Sequence, residues 1–487
     1  MTSFLLQGGL IATFNSENKP QSFVADILIN GPDIVKIEQN IPAGPDVQVI
    51  DCSGKWVTPG FIDTHRHVWM SILKGLQDDW LLSEYLVKNS WHIQTDVTSA
   101  ELRIGQLSGF LEALNSGVTT ILDHFHAANT PEHAEAALEA TIESRARVVF
   151  APSRQSPPTQ VLPHMAFGHE PGATQWQTKK LQEWAAKDGG KLTRDGRVLL
   201  GLAYDSVGFD FLPITVHQDF IKFARSLPVH IITAHVVKGP TILKWKDAGI
   251  LGPDVVFSHC NELWGHTDPG DKMWAAMKES GAGVASTPED ELGMAHGNPV
   301  AFKAVERGVK CGLGADCLSI NGGDIFTQMR FALQFDRGRR HEEVEKVGSA
   351  PPLHNKFKSA DAFRLATLGG AETLNLSHLI GTIEVGKKAD IVIFNASESV
   401  NLSAIEDPLI GVTFHATDAD VETVFVNGEI VKRNGKLLPT RANQEWKDVA
   451  KLLREKSREL RSRWPENLLE EKWQEYYNAK GGHLFRK

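Results

Sequence analysis

Short apolar runs bounded by Gly, Pro, Asn and Asp open the chain. From Met1 to about Cys52 the runs FLLQGGLIATF, SFVADILI, DIVKIEQN and VQVIDC read as strands and turns of a small antiparallel unit. From about Trp56 to about Asn375 the pattern changes to short apolar runs, each followed by an amphipathic stretch of helical period. Eight such runs are GFIDTH, GVTTILDHFH, ARVVFAPS, RVLLGLAYD, PVHIITAH, DVVFSH, GAGVAST and GVKCGLGAD. The intervening stretches include PEHAEAALEATIES and PGDKMWAAMKES. Strand and helix alternating eight times predicts a (β/α)8 TIM barrel whose strands are buried on both faces. A doubly wound open sheet is the alternative, but no GxGxxG follows the first strand.

After the barrel, GTIEVGKKADIVIF and ADVETVFVNGEIVKRNGK return to short strands, with a hairpin signal at Asn427 and Gly428. They are expected to join the N-terminal strands, so that residues 1–55 and 376–440 form one discontinuous β-sandwich domain around a barrel of residues 56–375. Residues 441–487 follow as a helical extension, in which Trp446, Val449, Leu452, Leu453 and Leu460 recur at helical spacing among charges of both signs. Such a face suits packing on the barrel or a second subunit better than a membrane.

Composition narrows the function classes. The 487 residues carry 51 Lys plus Arg against 60 Asp plus Glu, a formal net charge of −9. A dispersed acidic excess argues against nucleic-acid and anionic-membrane partners. Four scattered cysteines (Cys52, Cys260, Cys311, Cys317) without a CxxC pair make neither a disulfide framework nor a thiolate metal site. The first residues lack the basic start and unbroken apolar core of a signal peptide, and no run reaches the ~18 residues of a membrane span. A soluble cytoplasmic protein is expected.

The chemistry gathers at strand ends. His65 and His67 close the first strand in FIDTHRH, and residues two apart on a strand point the same way. His235 ends HIITAH, His259 ends VVFSH, and Asp316 ends the eighth run in GLGAD. Barrel enzymes place their chemistry at this end of the strands. Neutral imidazoles plus one carboxylate suit a borderline divalent ion, zinc first and ferrous iron second, with a coordination position left for water.

These motifs resemble the amidohydrolase superfamily, in its branch of metal-dependent deaminases (cytosine deaminase-like) and triazine hydrolases. The resemblance rests on PGFIDTHRHVWMSILKGLQDDWLL, with Lys74 where that branch usually has Arg, and on GVTTILD, HCNEL, GVKCGLGAD, GDIFTQMR and GTIEVGKKADIVIF. It implies a single divalent ion held by His65, His67, His235 and Asp316, with His259 beside it to polarise the substrate or orient the water. It also implies that Asp316 takes the proton of a water made acidic by the ion. A homodimer or tetramer is the family expectation.

The chain departs from that pattern twice. Three residues after the strand-five His, where the branch usually has a proton-shuttling Glu, stands Lys238. After strand seven, where Pro, any residue, Ser, Asn is usual, the chain has Pro288, Glu289, Asp290 and Glu291, with His296 following. Glu289 or Glu291, paired with Lys238, is therefore a candidate for the displaced acid/base or substrate-binding work; a solvated acidic loop is the bland alternative. Trp69, Trp80 and Trp91 after the first strand suit an aromatic wall or simple packing. His124 and His126, Arg154 with Ser153 and Gln155, and Tyr204 with Asp205 stand at strand ends where substrate contacts or supporting groups would lie.

Three functions fit these residues. The first is hydrolysis of a C–N bond, by deamination or by amide or lactam cleavage, in a cyclic or aromatic small molecule. The second is a lyase or hydratase that uses the same ion as Lewis acid. The third is a noncatalytic binding protein on an enzyme fold.

Overall fold

The computed structural model describes residues 2–155, 158–160, 166–167, 174–208, 212–237, 239–349 and 351–480. Lys238 lies outside them. Among the described residues every predicted barrel strand is a strand, and all pair in parallel. One five-stranded sheet runs in the order Val198–Leu200, Arg147–Pro152, Val118–Phe125, Phe61–His67, Asp316–Cys317. The other runs Leu202–Ala203, Ile232–Val236, Val255–His259, Gly283–Ser286, Lys310–Leu313.

The fourth and eighth runs are each shared between the two sheets. In the fourth, Gly201 N–H donates to Phe150 O at 2.7 Å, and the next residue, Leu202, donates to Ile231 O at 2.9 Å. The strand thus changes partners at the glycine. In the eighth, Gly314 N–H donates to Ser286 O at 2.9 Å, whereas Asp316 pairs with Arg66 of the first strand. Here glycine is a steric requirement, since a Cβ on Gly314 would lie 2.5 Å from His65 O. Inside, Ile62, Leu122, Val149, Val256 and Ala285 pack with Leu374, Leu376 and Ile380, which is the burial that near-continuous apolar strands require.

The N- and C-terminal strands share one nine-stranded sheet, as their sequence pattern implies. Ser3–Phe14 pairs with Pro20–Asn30 and with Trp56–Pro59, which in turn pairs with Ile391–Phe394. Trp56–Pro59 therefore belongs to this sheet, just ahead of the first parallel strand. The predicted hairpin joins Val421–Val426 to Glu429–Arg433 through Asn427 and Gly428, both with positive φ (53° and 76°).

Between the first parallel strand and the helix Ser99–Asn115 the chain coils through Val68–Leu73, Leu82–Tyr85 and the wide helical turn Leu86–Ile93. Two C-terminal helices, Trp446–Arg463 and Glu466–Lys480, pack on this segment. Lys88 Nζ bridges Glu84 and Glu470, and Ser457 Oγ donates to Ile72 O. No helix among the described residues is long and apolar enough to cross a membrane.

Candidate active site

His65, His67, His235, His259 and Asp316, from four runs of sequence, meet at the strand ends. Two of them hold strained backbone: His259 and Asp316 have φ of 75° and 56°, a region that non-glycine residues rarely occupy. Asp316 Oδ1 lies 3.2 Å from His65 Nε2 and 3.3 Å from His67 Nε2. His67 Nε2 faces His235 Nε2 at 3.2 Å. Asp316 Oδ2 lies 3.6 Å from His259 Nε2.

The outer nitrogens decide what the inner ones can do. His67 Nδ1 lies 2.7 Å from the carbonyl of His124, which can only accept, so Nδ1 carries the proton. His235 Nδ1 faces both oxygens of Asp205 at 3.2 Å and carries its proton for the same reason. His65 Nδ1 lies 2.8 Å from Ser258 Oγ, a hydroxyl able to accept. In the neutral form with its proton on Nδ1, each ring turns a bare Nε2 inward. Burial drives His65 down to about 4 and His67 well below its usual range, so both are neutral at pH 7. For Asp316 burial acts upward, yet the imidazoles of His65 and His259 hold its carboxyl well below the ordinary value.

Lone pairs and a carboxylate facing one another at about 3.2 Å repel unless positive charge lies among them. His65 Nε2 is buried with no hydrogen-bond partner, and a group so placed is costly unless something binds it. In His235, burial lowers proton affinity but Asp205 raises it further, and the net shift is upward. The donor set therefore fits a divalent cation held by His65, His67, His235 and Asp316.

His259 sits beside this set. Its Nδ1 lies 3.0 Å from Thr287 Oγ1 and 3.6 Å from Glu291 Oε1, and burial lowers it to about 4. The His296 ring stands edge-on to it at 4.7 Å, with its backbone N–H donating to Glu291 O.

In the acidic stretch Glu289 is half-buried and Asp290 and Glu291 are buried, rather than solvated. The stretch forms the short helix Pro288–Gly293, in which Asp290 and Glu291 are fully enclosed. Glu291 accepts from Thr287 N–H at 2.8 Å and from Ser286 Oγ at 3.1 Å, and burial pushes its carboxyl up to about 8. Asp290 accepts from Cys317 N–H and Asn321, anchoring the loop that carries Asp316. Glu289 accepts from Gln328 Nε2 at 3.0 Å and is pushed up to about 7 by burial.

The remaining candidates divide. His126 lies against His67, ring centroids 4.0 Å apart, and is held by Trp69 Nε1–H at 3.3 Å. Tyr85, which sequence reasoning missed, brings its hydroxyl within 3.5 Å of His126 Nε2. Arg154 lies over the Phe220 ring at 4.1 Å, and Tyr204 Oη meets His217 Nδ1 at 2.9 Å, so both engage neighbouring side chains beside the fourth strand. Trp91 packs on Tyr476 of the last helix, and Trp80 lies under Lys88 Nζ. Ser258, Thr287 and Asp63 lie inside the strand runs and were missed because spacing along one run does not show which group each meets across the sheets. Asp63 accepts from His65 N–H, Arg66 Nε and Ala315 N–H, which locks the first strand to the eighth.

Residues 56–191 and 230–431 match the model of the amidohydrolase family. The chain belongs to this family. The 5-methylthioadenosine/S-adenosylhomocysteine deaminase of Thermococcus kodakarensis is 30% identical over 433 residues, covering 84% of this chain and 89% of that protein. The 5'-deoxyadenosine deaminase of Methanobrevibacter smithii is 25% identical over 88% of this chain and 93% of its own length. Among solved structures, a zinc-bound adenosine deaminase from Xanthomonas campestris superposes with a TM-score of 0.77 at 18% identity, covering 95% of this chain and 99% of that one. A zinc complex of atrazine chlorohydrolase from Arthrobacter aurescens TC1 gives 0.76 at 20% identity, covering 92% and 100%. At such identities these two likenesses speak for the fold of this amidohydrolase.

Proposed function

We propose that this amidohydrolase is a metal-dependent hydrolase that releases an amine from an sp² carbon of a nitrogen heterocycle, with aminated purine nucleosides as the first substrates to test. The substrate class follows the named deaminase relatives. The observation that carries the metal reading is the inward convergence of His65, His67 and His235 Nε2 on Asp316. The two parallel sheets, sharing their fourth and eighth runs, are read as one (β/α)8 barrel within residues 56–375, its first strand starting after Trp56–Pro59. The nine-stranded sheet, which takes in Trp56–Pro59 as well, is read as the sandwich domain of residues 1–55 and 376–440, and residues 441–487 as the helical extension.

A divalent cation at this site, zinc in the first instance, supplies Lewis acidity and a water-derived nucleophile near neutral pH. The chain's own groups do the rest. Asp316 turns Oδ1 to the ligand imidazoles and Oδ2 toward His259, so it accepts the proton lost by the attacking water. His259, neutral and 3.6 Å from Asp316, orients that water and stabilises charge growing on the attacked carbon's substituent. Glu291, kept protonated at neutral pH by burial, is the proton reserve behind His259 Nδ1. It takes the part that a glutamate at position 238 would otherwise play. Trp69 and His126 form the wall behind His67.

Lys238 in place of Glu supports a second reading, in which the leaving group departs without a proton, as a ring halide does, or takes back the proton held by Asp316, as an amide or lactam nitrogen would. Ammonia release across a panel of adenine nucleosides, aminopyrimidines and aminotriazines, with metal content measured on the same preparation, tests both. Ammonia from any member supports deamination; a metal-loaded enzyme silent on all of them and active on chlorinated or lactam rings selects the second reading.

A further inference from the structure

Asp205, at the end of the fourth run, takes part in none of the steps above. Its Oδ1 accepts the backbone N–H of His235 at 2.7 Å, and both oxygens lie 3.2 Å from the Nδ1 of that residue. The carboxylate thus grips His235 by main chain and ring together. On its far side, Oδ2 lies 3.3 Å from His124 Nε2. His124 is fully buried, neither of its ring nitrogens makes a hydrogen bond, and its carbonyl accepts from His67 Nδ1 at 2.7 Å. His124 therefore backs two of the inward-facing imidazoles at once: His67 through its carbonyl, and His235 through Asp205. Leaving a ring nitrogen buried and unpaired is costly. Packing alone would be better served by an apolar residue.

We infer that Asp205, packed beside His124, is a positioning residue that fixes His235 as an Nε2 ligand. The inference rests on the metal site proposed above. A carboxylate on the outer nitrogen fixes the tautomer and ring plane of a ligand histidine and raises its basicity, and loss of such a partner typically weakens metal affinity 10–100-fold.

Zinc affinity of the full chain, measured by chelator competition, tests it alongside the melting temperature of the zinc-free protein. Asp205→Asn is expected to raise the zinc Kd 10–100-fold with the zinc-free melting temperature unchanged, and Asp205→Glu to recover part of the affinity. Unchanged affinity in Asp205→Asn overturns the inference. So does a loss that only follows a lower zinc-free melting temperature and that Glu does not repair. Should the Asn variant fail to fold, histidine ¹⁵N spectra of the zinc-loaded wild type decide: a proton on His235 Nδ1 supports the inference and a bare Nδ1 ends it. If wild type binds zinc and His235→Ala loses it while Asp205→Asn does not, only this inference falls. If wild type takes up no zinc, the metal reading falls with it.

Discussion

The Nε2 atoms of His67 and His235, 168 residues apart in sequence, face each other at 3.2 Å with their outer nitrogens already committed to protein acceptors. Two lone pairs at that distance suit a cation between them, which the HxH spacing of His65 and His67 in the sequence does not show by itself.

Removal of either ring should therefore empty the site. His67→Ala and His235→Ala are expected to lose bound metal by elemental analysis and to drop kcat/KM by more than ~100-fold, beyond the effect of losing an outer partner. A variant that keeps stoichiometric metal would take that residue out of the ligand set.

Ser258 tests the layer behind the ligands at a different ring. Its hydroxyl meets His65 Nδ1 at 2.8 Å. Ser258→Ala should weaken zinc binding by at least ~10-fold, read by chelator competition, with the fold retained by circular dichroism.

Glu291 separates chemistry from binding. Glu291→Gln keeps the volume and a polar contact for Ser286 and Thr287 but cannot pass a proton. Its kcat is expected to fall by at least ~10²-fold with metal content and KM little changed. A near-normal kcat would return Glu291 to a purely structural role at Thr287 and Ser286.

Asp123 gives a stability prediction outside the ligand set. Burial pushes its carboxyl up to about 7 from an ordinary value of 3.8, so the folded chain holds this proton more tightly than the unfolded one. Its contribution is fully present below about pH 4 and is lost as the pH climbs through about 7. Urea unfolding should show wild type losing stability over that window relative to Asp123→Asn; parallel curves would contradict the shifted proton affinity.

Gly314 tests the contact between the eighth and first runs. A Cβ there would meet His65 O at 2.5 Å and His65 N at 2.8 Å, both backbone atoms with little room to yield. Gly314→Ala is expected to lose at least ~2 kcal/mol in denaturant unfolding and to weaken metal binding, because the displaced strand carries both Asp316 and the neighbour of His65.

What the sequence determined by itself was the local and the periodic. Apolar runs of buried-strand length alternating with helical stretches specified eight parallel strands, Asn427 and Gly428 specified a hairpin, and strand-end position singled out His65, His67, His235, His259 and Asp316. Those features are legible because each depends on residues close together in the chain. The tertiary structure alone decided how the ends meet. Nothing in LAYDS separates a substrate contact from the carboxylate that grips His235, and nothing in PEDE says which acid turns to His259. The solvated acidic loop that the charge pattern allowed is a packed one, with Glu289 half-buried against Gln328 and Asp290 and Glu291 buried facing Asn321 and His259 respectively. Their roles depend on distances across the sheets and on the loss of water around each group, and neither quantity is encoded in the spacing of residues along one strand.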